Sequence, residues 1–114
     1  MTLLAKRQER SIVPRMYYIT TAIDYTNGPP HIGHAYEKVL ADVLARWHRM
    51  KGEEVYFLTG VDQHGQKVQQ TAEKLGITPQ EHVNNITGQF LALWDRLGIS
   101  NDGWASTTDP RHKA

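Results

Sequence analysis

The order in which strand-forming, turn-forming and helix-patterned residues follow one another in the first half of the chain constrains its fold more than any other feature. From Tyr17 to Ala22 the residues are mostly aromatic or β-branched, and the run stops at a cluster of turn formers, Asp24, Asn27, Gly28, Pro29 and Pro30. Beyond the prolines, Val39, Leu40, Val43, Leu44, Trp47 and Met50 fall at offsets of 3, 4, 7, 8, 11 and 14 from Tyr36, and this helical stripe ends at Lys51 and Gly52. Val55–Thr59 is a short, nearly continuous apolar run, the pattern of a parallel strand covered on both faces, with Gly60–Gly65 as a loop after it. Strand, helix, strand in that order implies a parallel pair joined by a helical crossover.

A second helix is expected over Gln66–Leu75, with Val68, Ala72 and Leu75 on one side and Gly76 as its stop. A third starts at Thr78, Pro79, Gln80 and Glu81, where Thr can cap, Pro fits the first turn and Glu can close a capping box. Val83, Ile86, Phe90, Leu91, Trp94 and Leu97 form its stripe, ended by Gly98, and Thr108, Asp109 and Pro110 open a further helix that is soon cut off. Trp47, Phe90, Trp94 and Leu97 read as core because each lies on a helical stripe, and His48, His82 and His112 read as surface. Residues 1–15 carry Lys6, Arg7, Arg10 and Arg15 against the single acid Glu9 and read as a mobile leader, with an organellar transit peptide as the alternative.

At 114 residues the chain holds one domain at most, and 39% apolar residues suffice for a core. Thirteen Lys and Arg against twelve Asp and Glu leave a formal charge of +1, too little for indiscriminate nucleic-acid or membrane binding. The absence of Cys excludes a disulfide framework, a thiolate zinc site and a cysteine nucleophile, and is compatible with a reducing compartment such as the cytoplasm. No apolar run approaches the roughly 20 residues that span a bilayer.

The chemistry gathers in two loops. Asn27-Gly28-Pro29-Pro30-His31-Ile32-Gly33-His34 follows the first strand and opens the first helix, where backbone N–H groups and the helix dipole favour an anion such as a phosphate. It has neither the Walker lysine nor dinucleotide glycine spacing; instead His31 and His34 can point the same way, with Gly33 between them letting a flat ligand approach. By spacing alone the pair could equally be helix surface. The second loop, Thr59 to Gly65 with Lys67 beyond, would face the same crevice of a parallel sheet. Asp62 could hold a cationic amine there, or could be no more than a turn or N-cap residue.

These residues resemble a known family. Ile19, Thr20, Thr21, Ala22, Ile23, Tyr25, Thr26, Asn27 and Gly28, with the His31–His34 tetrapeptide HIGH, resemble the amino-terminal signature of class I aminoacyl-tRNA synthetases in its methionyl version. Phe57, Leu58, Thr59, Gly60, Asp62, His64 and Gly65 are similar to that family's second-strand loop, and Thr107 to Lys113 also matches, so the likeness runs from about Met16 to the last residue. The resemblance implies an α/β fold, with residues 16–114 the first half of a Rossmann-type parallel-sheet nucleotide-binding domain. It implies that His31 and His34 bind ATP phosphates and stabilise the transition state of methionine adenylation, with Gly33 making room for adenine. Ala22, Ile23 and Tyr25 would border the methionine side chain, Asp62 would hold its ammonium group, and His64 and Lys67 would contribute from the second loop. The implied partners are ATP with magnesium, methionine, tRNA(Met) and a missing carboxyl-terminal half bearing the lysine-rich KMSKS loop; no metal site is expected in this chain. Two positions depart from the family: Asp24 stands where Tyr or Pro is frequent, and Gln63 replaces the usual Glu. The competing readings are another HIGH-type nucleotidyltransferase and a non-catalytic nucleotide-binding or interaction fragment.

Overall fold

A computed structural model describes residues 15–113, so the expected leader lies, save Arg15, outside the described residues. The elements are β1 (Met16–Thr20), β2 (Asp24–Tyr25), α1 (Ile32–Met50), β3 (Glu54–Asp62), α2 (Gln66–Leu75), α3 (Pro79–Leu97), β4 (Gly103–Ser106) and α4 (Pro110–Lys113). The helix limits follow local signals in the sequence. Thr78 accepts a hydrogen bond from the Glu81 backbone N–H at 3.1 Å, and Gly76 and Gly98 end α2 and α3 in the left-handed conformation.

All strands pair in parallel around β3, which has β1 and then β2 along one edge and β4 along the other. Thr20 pairs with Leu58 but Asp24 with Val61, so four steps on one side match three on the other and one extra residue is accommodated between β1 and β2. The break changes which residues face the helices. Before it Ile19 packs into the cluster of Ala41, Ala45 and Phe57; after it the inward residue is Asp24, beside Lys38 of α1. The sequence pattern gives no sign of β2, which falls within the turn cluster, or of β4. Both are too short to show alternation, and β3 runs beyond Thr59 because β2 and β4 pair with its Gly60–Asp62 end.

Helices α1, α2 and α3 lie on one face of the sheet. The strand order advances in a single direction, and successive crossovers of the same hand then return to the same side. Phe57 is buried under α1, and Trp104 packs against the Ile86, Phe90 and Trp94 cluster of α3. On the opposite face Tyr18 and Tyr56 stack at 5.8 Å and remain exposed. Among the described residues the three longer helices therefore cover β3 on one face, and on the other only Arg111 and His112 of α4 come beside Tyr56 and Leu58.

The largest correction concerns α1. Its apolar stripe, Tyr36 through Met50, points away from the sheet, and Trp47, expected in the core, is 54% exposed. The seam that packs inward is Lys38, Ala41, Asp42 and Ala45, which has the same helical spacing. Two alanines allow close approach to Phe57, and the two charged residues find partners across the interface: Lys38 meets Asp24, and Asp42 accepts from the Ser100 backbone and hydroxyl at 2.7 and 2.5 Å. Leu97 is also exposed, whereas Phe90 and Trp94 are buried as expected. His82, read as surface, is buried in the first turns of α3 with Nε2 lacking a partner, and His48 is half-buried, stacked on Tyr17 at 3.4 Å and paired with Glu53.

Candidate active site

The carboxyl ends of β2 and β3 and the amino end of α1 meet at one edge of the sheet. His31 is the N-cap of α1: its Nδ1 accepts from the Gly33 N–H at 3.0 Å, and the His34 Nδ1 accepts from the His31 N–H at 3.1 Å. Two imidazoles thus form a reciprocal capping box. With each Nδ1 an acceptor, the ring proton of each neutral imidazole sits on Nε2. The rings stack at 3.8 Å, and a Cβ on Gly33 would fall 2.9 Å from His31 Cε1, so a larger residue there would push the His31 ring aside.

His31 is exposed, while His34 is backed edge-on by Phe90 at 5.0 Å. Burial pushes the His34 imidazole below its ordinary range; Asp24, whose Oδ1 is 4.0 Å from Nε2, opposes that shift, and His31 and Lys38 reinforce it. At neutral pH His34 is consequently an uncharged Nε2–H donor at the positive end of a helix.

In the second loop Tyr25 is in register with Asp62, and the Thr26 N–H and hydroxyl both donate to the Asp62 carbonyl, at 3.0 and 2.9 Å. Asp62 Oδ1 accepts from the His64 N–H at 3.1 Å and from the Thr107 hydroxyl at 3.4 Å; the turn role is thus realised on one oxygen, and no described residue bonds the other. Gly65 has φ +144° and lies against the Tyr25 hydroxyl, where any Cβ would collide. Gln63 is buried: its Nε2 donates to Thr87 at 2.9 Å, its Oε1 accepts from the Ser106 and Thr108 hydroxyls, and its N–H donates to Thr107 at 2.8 Å. This departure from the family pattern therefore ties β3 to α3 and to the turn after β4.

His31, Gly33, His34, Tyr25 and Asp62 are brought to one edge, with Ala22 and Ile23 in the adjoining strand break and exposed. Of the other two candidates, His64 meets Asp62 through its backbone N–H. His64 Nε2 is engaged by the Thr107 carbonyl at 3.1 Å, and Lys67 is exposed in the first turn of α2. Sequence reasoning missed Lys38, fully buried beneath His34; a lysine one turn after His34 gives no local sign of its burial. Among the described residues no group of three or more His, Asp or Glu is placed to hold a metal ion, and no helix is long and apolar enough to cross a membrane.

A parallel sheet with a histidine-capped helix at its carboxyl edge fits the class I tRNA synthetases, and the family model for tRNA synthetases class I (M) matches residues 17–114. The chain belongs to that family. It is 51% identical over 100 residues to the methionine–tRNA ligase of Deinococcus radiodurans and 54% identical over 96 residues to that of Rhizobium meliloti, covering 87% and 84% of this chain. It superposes on the Mycobacterium tuberculosis methionyl-tRNA synthetase in complex with methionyl-adenylate with a TM-score of 0.83 and 42% identity, over 86% of this chain and 19% of that one. The chain spans only 15% and 19% of the length of the two curated relatives.

Proposed function

We propose that this chain is the part of a methionine–tRNA ligase that receives ATP and methionine for the formation of methionyl-adenylate, ahead of the charging of tRNA(Met). The observation that carries this reading is the pair of stacked imidazoles capping α1 at the same sheet edge as Asp62, in a chain whose relatives are methionine–tRNA ligases. The methionine carboxylate attacks the α-phosphorus, a new O–P bond forms, and the bond to pyrophosphate breaks. Nothing covalent is asked of the protein; positioning and charge stabilisation carry the step. The His34 Nε2–H and that of His31 donate to phosphate oxygens, and the bare backbone at Gly33 gives the adenine ring room. Ala22, Ile23 and Tyr25 border the methionine side chain, and the unbonded oxygen of Asp62 accepts its ammonium group. Magnesium enters as part of the ATP substrate, held by phosphate oxygens and water.

Contacts to tRNA and the closing lysine loop fall to polypeptide beyond this segment. The cytoplasm supplies ATP and tRNA, and a chain without Cys loses nothing to its reducing conditions. The test is ATP–pyrophosphate exchange by the longer protein that carries this segment. Exchange that depends on methionine is expected; exchange driven by another acid, or none, would replace this reading with the nucleotidyltransferase or the non-catalytic one.

A further inference from the structure

Lys38 and Asp24 are buried side by side beneath His34, an arrangement that core packing does not require. Lys38 is wholly excluded from solvent, with Nζ at 3.0 and 2.9 Å from the two Asp24 oxygens. It also donates to the Ala22 carbonyl at 3.3 Å and to Glu37 at 2.8 Å, and it lies 5.4 Å from the centre of the Trp94 ring. All three ammonium protons thus have acceptors. Apolar side chains of similar volume commonly replace a buried ion pair without loss of stability, so stability alone does not account for this one.

What an apolar side chain could not do is hold two parts of the site in one geometry. Ala22 belongs to the break between β1 and β2 and Asp24 is the first residue of β2, while Lys38 stands four residues after His34 on α1. We propose that Lys38 is a positioning residue: through Asp24 and the Ala22 carbonyl it holds the strand break that borders methionine in fixed relation to the imidazole that faces the phosphates. The inference rests on the function proposed above. Asp24 Oδ1, 4.0 Å from His34 Nε2, is where the two parts meet. The charged and titratable groups facing His34 are Asp24 from β2 and His31, Glu37 and Lys38 from its own helix and cap; from α3 the uncharged Phe90 packs against it.

The test compares Lys38→Met, Asp24→Asn and the double variant. In the 114-residue chain, Lys38→Met leaves the Asp24 charge buried without its cation and lowers the melting temperature, and the double variant recovers it. Followed by NMR, the His34 imidazole titrates at higher pH in Lys38→Met and at lower pH in Asp24→Asn; a ring unmoved by either substitution overturns the inference. In the longer protein the double variant should keep a kcat for exchange about 10- to 100-fold below the parent and a raised KM for methionine, despite its recovered stability. A double variant that regains both stability and exchange would make the pair structural and nothing more. A parent without exchange defeats the proposed function instead, and the titration then still decides whether Lys38 acts on His34.

Discussion

His34 touches the backbone of one residue, the ring of another and the field of a third, and each contact leaves its Nε2–H free. Its replacement by Ala in the longer protein should lower kcat for adenylation by roughly a hundredfold to a thousandfold, the usual cost of one preorganised donor, and change methionine affinity little. Stopped-flow measurement of adenylate formation separates the two; a loss confined to affinity would assign His34 to ground-state binding. For Asp62 the geometry sharpens the corresponding test. Asn can still accept from the His64 N–H and the Thr107 hydroxyl, so Asp62→Asn should leave the turn and the melting temperature intact. Methionine binding should nonetheless weaken by about 2 to 5 kcal/mol while ATP binding holds, as calorimetric titration of both ligands would show. The placement of His31, His34 and Asp62 at one sheet edge was legible in the sequence because it follows from local loop geometry. That of Lys38 was not, because a buried lysine is recognisable only once Asp24 and Trp94 have been folded against it.

At the level of elements, the helices with local punctuation were readable, and the orientation of α1 was not. Its apolar stripe and its inward seam of Lys38, Ala41, Asp42 and Ala45 obey the same period, so periodicity cannot choose between them; the partners supplied by Ser100 and Asp24 decide. Asp42 gives a measurable handle on that choice. Burial pushes its carboxyl up, but hydrogen bonds from Ser100 and Arg46 outweigh it and hold the group below its ordinary value. A carboxylate lowered on folding stabilises fully above its unfolded pKa, about 3.9, and its contribution is lost as pH falls through the folded value. Asp42→Ala should therefore cost about 1 to 3 kcal/mol in urea unfolding at pH 7, with the gap to the parent narrowing in acid below pH 4. A gap independent of pH would mean that the lost side chain mattered for packing and not for charge. The short β2 and β4 were hidden for a different reason: their existence depends on β3 offering an edge, which no window of the sequence contains.

For the molecule as a whole, α1, α2 and α3 cover one face of the sheet, and the α1 stripe with Tyr18 and Tyr56 remains open. The isolated chain should bind an environment-sensitive apolar dye while folded, and Val43→Lys with Leu44→Lys should reduce that signal. Because both side chains point outward, unfolding free energy should change by no more than about 0.5 kcal/mol per position. A large loss of stability would show that this face is packed in solution after all. The unequal count of residues between β1 and β2 bears on variation too. Removing one residue from 21–23 would set three steps against three, with Asp24 still opposite Val61, and would erase the break that presents the Ala22 carbonyl to Lys38. Across this connection number matters as well as identity: a residue inserted or removed at 21–23 reroutes the backbone between two fixed pairings, whatever side chain it carries.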